Sequence, residues 1–152
     1  MVEDKIHELG YLVPDAPKPL AAYVPAKRSG KLIFTAGQLP FQDGELRFKG
    51  RVGKEITEKE GRKAAEIAAL NCLSVIKGIT GDLNKIDQVI RLTVFVNNTD
   101  GFTNQPEIAN GASEFIVNIF GEAGKHARSA VGVNGLPRNS SVEVEMVVSL
   151  KD

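Results

Sequence analysis

The sequence predicts an α+β sandwich in which two helices lie on one face of a mixed sheet. Two long segments carry apolar residues at three- and four-residue spacing, which is typical of amphipathic helices. Residues 88–97, between them, alternate as a strand, and shorter alternating segments come before the first helix and after the second. The predicted order is therefore strands, hairpin, helix, strand, helix, strand and strand.

The length and composition predict one domain with a short arm in front of it. The chain has 152 residues, of which 42% are hydrophobic and 25% charged, enough for one sizeable core. Pro14, Pro17 and Pro19 disfavour regular structure after a first helical turn at residues 5–9. We expect an arm over residues 1–19, lying on a single domain of residues 20–152.

The charge balance argues for small metabolites as partners. Nineteen basic and nineteen acidic residues cancel, and no long run of one sign marks a surface for nucleic acid or a membrane. One cysteine cannot form an internal disulfide, and no segment reaches the roughly 18 apolar residues of a membrane span. The first five residues do not resemble a signal peptide either, so we expect a cytoplasmic protein.

The first strands lead to a glycine that has two interpretations. Residues 23–25 begin a short strand, and residues 31–36 form another that we expect to be covered on both faces. Asp43 and Gly44 then supply the positive φ of a tight hairpin turn. Gly37 is either a bend at a strand end or a place where a ligand approaches bare backbone.

The first helix begins at a capping box of Thr57 and Glu60, and Gly78 or Gly81 ends it. Cys72 falls on its apolar stripe, so we interpret it as a small core residue rather than a nucleophile. The second helix has Pro106 in its first turn and an apolar stripe that includes Ile108, Ala112, Phe115, Ile116 and Ile119. Asn110 lies off that stripe, as a solvated residue would.

The strand between the helices predicts an oligomer. Ile90, Leu92, Val94 and Val96 would lie on one face, and Val89, Arg91, Thr93 and Phe95 on the other. The second face is too apolar for water, and the chain offers no third helix to cover it. A second subunit is the simplest cover.

The last two predicted strands are joined by a turn and carry the candidate chemistry. Arg128 stands at the entrance of the first, and Glu143 and Glu145 share the face of the second that its valines do not occupy. Such charges form either a solvated face or, on neighbouring strands, part of a small-molecule site. Two histidines and one cysteine cannot build a metal cluster, and no serine triad or phosphate loop is visible, so we expect no metal and no cofactor.

Several segments together resemble the RidA family (YjgF-type, L-PSP) of reactive imine and enamine deaminases. They are Tyr23-Val24, Thr-Ala-Gly-Gln-Leu-Pro at 35–40, Arg-Leu-Thr-Val-Phe-Val at 91–96, Asn110, Ala127-Arg128-Ser129 and Val-Glu-Val-Glu at 142–145. Ala130 departs from the cysteine of archetypal members, and His126 from their proline or alanine. The chain therefore resembles a divergent branch.

The resemblance implies a chorismate-mutase-like fold and a homotrimer whose sheets form a central barrel, with one site in each cleft between subunits. It implies that Arg128 pairs with the substrate carboxylate and Glu143 holds the attacking water. It also implies that Tyr23, Gly37 and Asn110 line the pocket, together with Ser129 and Ala130.

The implied function is cofactor-independent hydrolysis of amino-acid-derived imines and enamines, of the 2-aminoacrylate and 2-iminobutanoate class, to 2-keto acids and ammonia. One alternative is a non-catalytic trimer that binds keto acids through the same arginine. Another is an RNA-binding or endoribonuclease role, against which the balanced charge argues.

Overall fold

The computed structural model describes residues 1–18 and 22–152, which form one layer of helices on a mixed sheet. The large sheet has five strands in the order β1-β2-β7-β5-β6, and β3 and β4 form a separate hairpin. The strands are β1 (Ala26–Ser29), β2 (Leu32–Thr35), β3 (Phe41–Gln42), β4 (Glu45–Leu46), β5 (Ile86–Asn97), β6 (Ala127–Val133) and β7 (Val142–Leu150). The helices are α1 (Val2–Glu8), α2 (Glu58–Thr80) and α3 (Gln105–Phe120). The predicted α+β class and element order are confirmed.

The last two strands correct the prediction that β6 and β7 are neighbours. β5 lies between them, because it pairs antiparallel with β7 and parallel with β6. The connection through Pro137–Asn139 therefore crosses over β5 instead of closing a hairpin. Arg138 and Asn139 in this connection both have positive φ, at 56° and 61°. The charged residues of β6 and β7 are thus two strands apart.

The helix boundaries follow the local sequence signals. The Thr57 hydroxyl accepts a hydrogen bond from the Glu60 N–H, and the Glu60 carboxylate accepts one from the Thr57 N–H, as the capping box predicts. Gly81 ends α2 in the left-handed conformation that glycine adopts without strain. The predicted apolar stripe of α3 is fully buried, and the β3–β4 hairpin turns at Asp43 and Gly44 as expected.

The two long helices touch through a glycine. A Cβ atom at Gly111 of α3 would overlap the Arg62 carbonyl oxygen of α2, so the two backbones are in direct contact there. Neighbouring turns of α3 bury Ile108, Ala112 and Phe115 in the core. The contact fixes the height of α3 above the sheet, and α3 carries Asn110.

The central strand departs from strict alternation. The pairing of β5 with β7 shifts register between Ile86 and Gln88 and again between Val89 and Arg91. These irregularities turn Val89 into the core, where it is 1% exposed, and turn Ile90 outward. The prediction that placed Ile90 with Leu92 and Val89 with Phe95 was wrong at these two residues, because a bulge adds a residue that periodicity cannot reveal.

One face of the sheet is uncovered within the single chain. Leu32, Phe34 and Val131 are 37%, 44% and 42% exposed. The expectation that strand 31–36 is covered on both faces therefore fails within one chain, where only Ile33 and Thr35 are buried. We refer to this surface, with Ile90 and the half-buried Phe95, as the open face.

The N-terminal segment lies on the helices. The predicted helical turn at 5–9 is a short helix, α1, which buries Ile6 completely. The Tyr11 ring meets Phe115 edge to face, with 5.5 Å between ring centroids. The predicted boundary between arm and domain, at 19/20, lies outside the described residues. None of the helices in the described ranges combines the length and apolarity needed to cross a bilayer.

Candidate active site

The predicted site residues fall into two groups on different sides of the sheet. The first group is Tyr23, Gly37 and Glu143. Glu143 lies on β7 opposite Phe95 of β5, so its side chain belongs to the open face. Gly37 follows β2, and a Cβ atom there would overlap the Glu143 carboxylate. Gly37 thus leaves bare backbone against the Glu143 side chain, and the interpretation that a ligand approaches this backbone stays a prediction.

A cavity of about 520 Å³ surrounds this first group. Two cations, Lys18 and Arg138, line it beside the acid, and the guanidinium of Arg138 lies 5.8 Å from the centroid of the Phe41 ring. The full lining is Pro17, Lys18, Tyr23, Pro25, Ala36, Gly37, Gln38, Leu39, Phe41, Pro137, Arg138 and Glu143. The volume is that of a site for a small metabolite.

The environment of Glu143 favours the protonated acid more than water does. Burial raises the pKa of Glu143 above its ordinary value, and the carboxylate of Glu145 raises it further. Glu143 and Glu145 are consecutive outward residues of β7, so their charges repel. A carboxylate with a raised pKa is a stronger base than an ordinary glutamate.

The second group surrounds Arg128 on β6. Arg128 pairs in register with Leu92, which is buried on the helix side, and its guanidinium reaches α3. Its Nη1 donates hydrogen bonds to Asn110 Oδ1 at 2.8 Å and Ser113 Oγ at 3.2 Å. Asn110 is therefore a partner of the arginine and not the solvated helix residue that its position off the stripe indicated.

A histidine continues this network behind the serine. His126 Nε2 lies 2.9 Å from Ser113 Oγ, and His126 Nδ1 lies 2.6 Å from the Gly124 carbonyl oxygen. A carbonyl only accepts, so Nδ1 carries the proton and Nε2 of the neutral ring accepts from the serine hydroxyl. Burial lowers the pKa of His126 and the Arg128 charge adds to this, although the Gly124 hydrogen bond acts in the opposite direction.

Arg128 and Glu143 of one chain cannot hold the same small ligand. Arg128 is level with Met146 across β5, three residues from Glu143 along β7. This separation is about 10 Å along the strands and about 10 Å across them. The two side chains also leave opposite faces of the sheet, so a molecule the size of pyruvate reaches only one of them.

Ser129 and Ala130 divide between the same two sides. Ser129 lies on the open face, where its hydroxyl accepts a hydrogen bond of 2.8 Å from Arg91. Ala130 is level with the buried Val94 and therefore lies on the Arg128 side. The structure thus brings together Arg128, Asn110 and Ala130 at one place and Tyr23, Gly37 and Glu143 at another.

Comparison with known proteins identifies the family. The family model described as "YjgF/chorismate_mutase-like, putative endoribonuclease" matches residues 3–150. The chain belongs to the RidA/YjgF family. Protein TCP17 of Trypanosoma cruzi is 40% identical over 152 residues, which span 99% of this chain and 95% of the relative.

Two further proteins, one a solved structure and one a named enzyme, are similar to this RidA/YjgF chain. The crystal structure of Atu1372 from Agrobacterium tumefaciens, a protein of unknown function, superposes with a TM-score of 0.93 at 40% identity, covering 99% of this chain and 92% of Atu1372. A protein named 2-iminobutanoate/2-iminopropanoate deaminase, from Dermatophagoides farinae, is 29% identical over 91% of this chain and 93% of its own length.

Sequence reasoning about this RidA/YjgF chain missed three residues that contact or line the two groups. Ser113 lies three residues after Asn110, a spacing that places both on one helix face, so helical periodicity could have found it. His126 was visible only as a departure from the family pattern. Nothing local marks Arg138, because its place at the cavity depends on the connection crossing β5.

A larger groove of about 640 Å³ crosses α2 and α3 and includes none of the predicted site residues. Arg62 in this groove forms ion pairs with Glu107 and Glu114 at 3.2 and 2.9 Å. Within residues 1–18 and 22–152, no three histidine, cysteine or acidic side chains are grouped as metal ligands.

Proposed function

We propose that the protein is a hydrolytic deaminase that converts 2-imino acids and their enamine tautomers to 2-keto acids and ammonia. The observation that carries the proposal is that the chain has one group suited to bind a carboxylate and a separate group suited to accept a proton. A guanidinium held by two acceptors offers its remaining N–H groups to a carboxylate, while an acid with a raised pKa lies in a cavity against bare backbone. The relationship to a named imine deaminase supports the same reaction class.

The reaction follows from these two groups. Arg128 binds the substrate carboxylate in a charge-assisted pair and so holds the neighbouring imine carbon in place. Glu143 accepts a proton from a water molecule as the water oxygen adds to that carbon. Glu143 passes this proton to the imine nitrogen, which gives a tetrahedral carbinolamine. The hydroxyl proton then moves to the same nitrogen, the C–N bond breaks with loss of ammonia, and the keto group forms. One water is consumed for each ammonia released, and no redox step occurs.

The separation of the two groups leads us to propose that each site lies between two subunits. Arg128 of one chain would meet Glu143 of the next, which a single chain cannot arrange. The open face, with Leu32, Phe34 and Val131, would line a central barrel in a homotrimer. Light scattering should then give three times the 16.4 kDa of one chain at micromolar concentration. A monomer mass would refute the shared site.

A coupled assay tests the activity directly. A pyridoxal-phosphate-dependent dehydratase acting on threonine or serine generates the enamine, which hydrolyses slowly by itself. Adding the protein should accelerate the release of keto acid, and adding the Glu143→Gln variant should not. If wild type binds keto acids but leaves the rate unchanged, the protein is a non-catalytic metabolite-binding protein. If it does neither, both functions are wrong.

A further inference from the structure

The hydrogen bonds of Arg128 occupy both hydrogens of one guanidinium nitrogen, Nη1. Nη1 carries two hydrogens, and Asn110 and Ser113 each accept one. Nε and Nη2 donate to no acceptor within the residues that the structure describes. These two nitrogens present parallel N–H bonds along one edge, which matches the two oxygens of a carboxylate.

We propose that Ser113 and His126 are positioning residues that hold Arg128 so that its Nε–Nη2 edge receives the substrate carboxylate side-on. The inference rests on the proposed role of Arg128 as the carboxylate anchor. Neither residue needs to touch the ligand. His126 determines that the Ser113 hydroxyl donates toward the ring, and Ser113 in turn accepts from Arg128.

The direction is set at the histidine. Gly124 O accepts the proton of His126 Nδ1, which leaves Nε2 as an acceptor. Ser113 has one hydroxyl hydrogen and donates it to Nε2, so the serine lone pairs remain for Arg128. Without His126 the hydroxyl is free to rotate and can donate toward Asn110 Oδ1, in competition with Arg128.

The consequence is pre-organisation. An arginine side chain has several rotatable bonds, and a ligand that must order them loses part of its binding free energy. Two acceptors on α3 fix the guanidinium before the ligand arrives, and Gly111 fixes α3 against α2. Alanine or proline at position 126 would supply no ring nitrogen to hold the serine.

The test is calorimetric titration of pyruvate and 2-oxobutanoate into variants of the whole protein. Ser113→Ala should weaken binding roughly five- to twentyfold, because one acceptor of Nη1 is lost and the fork is no longer fixed. His126→Ala should weaken it by a smaller factor. The double variant should be no worse than Ser113→Ala alone, since both residues act through one hydroxyl. Ser113→Thr, which keeps the hydroxyl, should bind within about twofold of wild type.

The matched control is Asn118→Ala, an exposed change on the same helix, which should leave affinity and melting temperature unchanged. Ser113→Ala within twofold of wild type, or additive losses in the double variant, would overturn the proposal. A loss in Ser113→Thr equal to that in Ser113→Ala would also overturn it, since the hydroxyl would then be irrelevant.

A second measurement separates this proposal from the proposed function. Nitrogen-15 NMR of the arginine side chains needs no ligand. In wild type the Arg128 Nη signals should be resolved, because two acceptors hinder rotation of the guanidinium, and in Ser113→Ala they should average. Averaged signals in wild type would show that the guanidinium is not held. Resolved signals without keto-acid binding would sustain the positioning and refute the function.

Discussion

The Arg128 side and the Glu143 side of the sheet are built in opposite ways. Arg128 has two acceptors on α3 and a histidine behind one of them. Glu143 accepts no hydrogen bond from the described residues, lies against the bare backbone of Gly37, and has a raised pKa. The Arg128 guanidinium is thus held through Nη1 and open along its Nε–Nη2 edge, whereas no hydrogen bond from the described residues holds the Glu143 carboxylate.

The difference shows that a group that orients a ligand and a group that accepts a proton need different surroundings. A group that only has to orient a ligand binds better when hydrogen bonds already hold it in place, since these lower the entropy cost of binding. A group that must take a proton would lose basicity if it were already fully hydrogen-bonded, because such bonds stabilise the carboxylate and lower its pKa. Each side therefore has the environment that its proposed role requires.

The largest effect is expected from Glu143→Gln. Removing the base should lower kcat by about a hundred- to ten-thousandfold, because the water then has no proton acceptor. Affinity for 2-oxobutanoate should change by less than about threefold, since the carboxylate binds elsewhere. The dehydratase-coupled assay and calorimetry measure the two quantities. A loss of affinity as large as the loss of turnover would mean that Glu143 binds the ligand.

Arg128→Ala should mainly lower the affinity for keto acids. Losing a bidentate charge-assisted pair should weaken keto-acid binding by roughly ten- to a hundredfold or more. Arg128→Lys should restore little, because an ammonium cannot reproduce the planar fork. Calorimetric titration of pyruvate compares the three proteins. Equal affinities for wild type and Arg128→Ala would mean that the arginine only joins β6 to α3 and does not bind the ligand.

Mixing the two variants tests whether the two sides meet between chains. Arg128→Ala and Glu143→Gln chains, unfolded and refolded together, should recover about a quarter of the wild-type activity, because that fraction of shared sites has both native residues. Refolding each variant alone is the control and should give only the low activity of that variant, measured at substrate concentrations well below KM, where Arg128→Ala is also impaired. Absence of recovery in verified mixed oligomers would show that the residues of one chain do not complete the site of another.

The acid limb of the activity profile should depend on Glu145. Glu143 is the active base only when ionised, so kcat/KM should fall as the pH drops through its raised pKa, above the ordinary value of 4.5. Glu145→Gln removes the repelling charge, and the limb should move to lower pH. Glu122→Gln, a change in an exposed surface ion pair, is the control. An unmoved limb in Glu145→Gln would exclude this coupling.

The smallest effect on activity is expected from modification of Cys72, which lies buried between α2 and the sheet. Burial raises the pKa of its thiol to about 12, and the side chain is fully inaccessible, so iodoacetamide should not label the folded protein. Activity should be unchanged after treatment, while the same reagent should label the unfolded chain completely. Stoichiometric labelling of the native protein, with loss of activity, would contradict a purely structural role.

Local signals predicted local structure well. The capping box at Thr57, the hairpin turn at Asp43 and the buried stripe of α3 all depend on residues a few positions apart, and each is confirmed. The family resemblance correctly indicated the fold. Long-range features were not predicted, because the spacing of apolar residues does not show which strands are neighbours in the sheet. The β5 bulge and the position of β5 between β6 and β7 are of this kind.

The candidate site was predicted as a set of residues but not as an arrangement. Arg128 and Glu143 were chosen as charges on neighbouring strands, and the structure places them two strands apart on opposite faces. The Ser113–His126 pair escaped because its members lie on different elements, a helix and the segment before β6. Hydrogen-bond direction, which gives this pair its role, cannot be deduced from a residue list.

The glycine contact between the long helices makes the position of the Arg128 guanidinium depend on a residue that packs against α2. Gly111 directly follows Asn110 and lies close to Ser113 in the same helix, so any side chain at 111 would lift both acceptors off the arginine together. Tolerance to mutation should therefore be low at position 111, although this residue packs on α2. A survey of random substitutions selected for ligand affinity would register position 111 as if it belonged to the site.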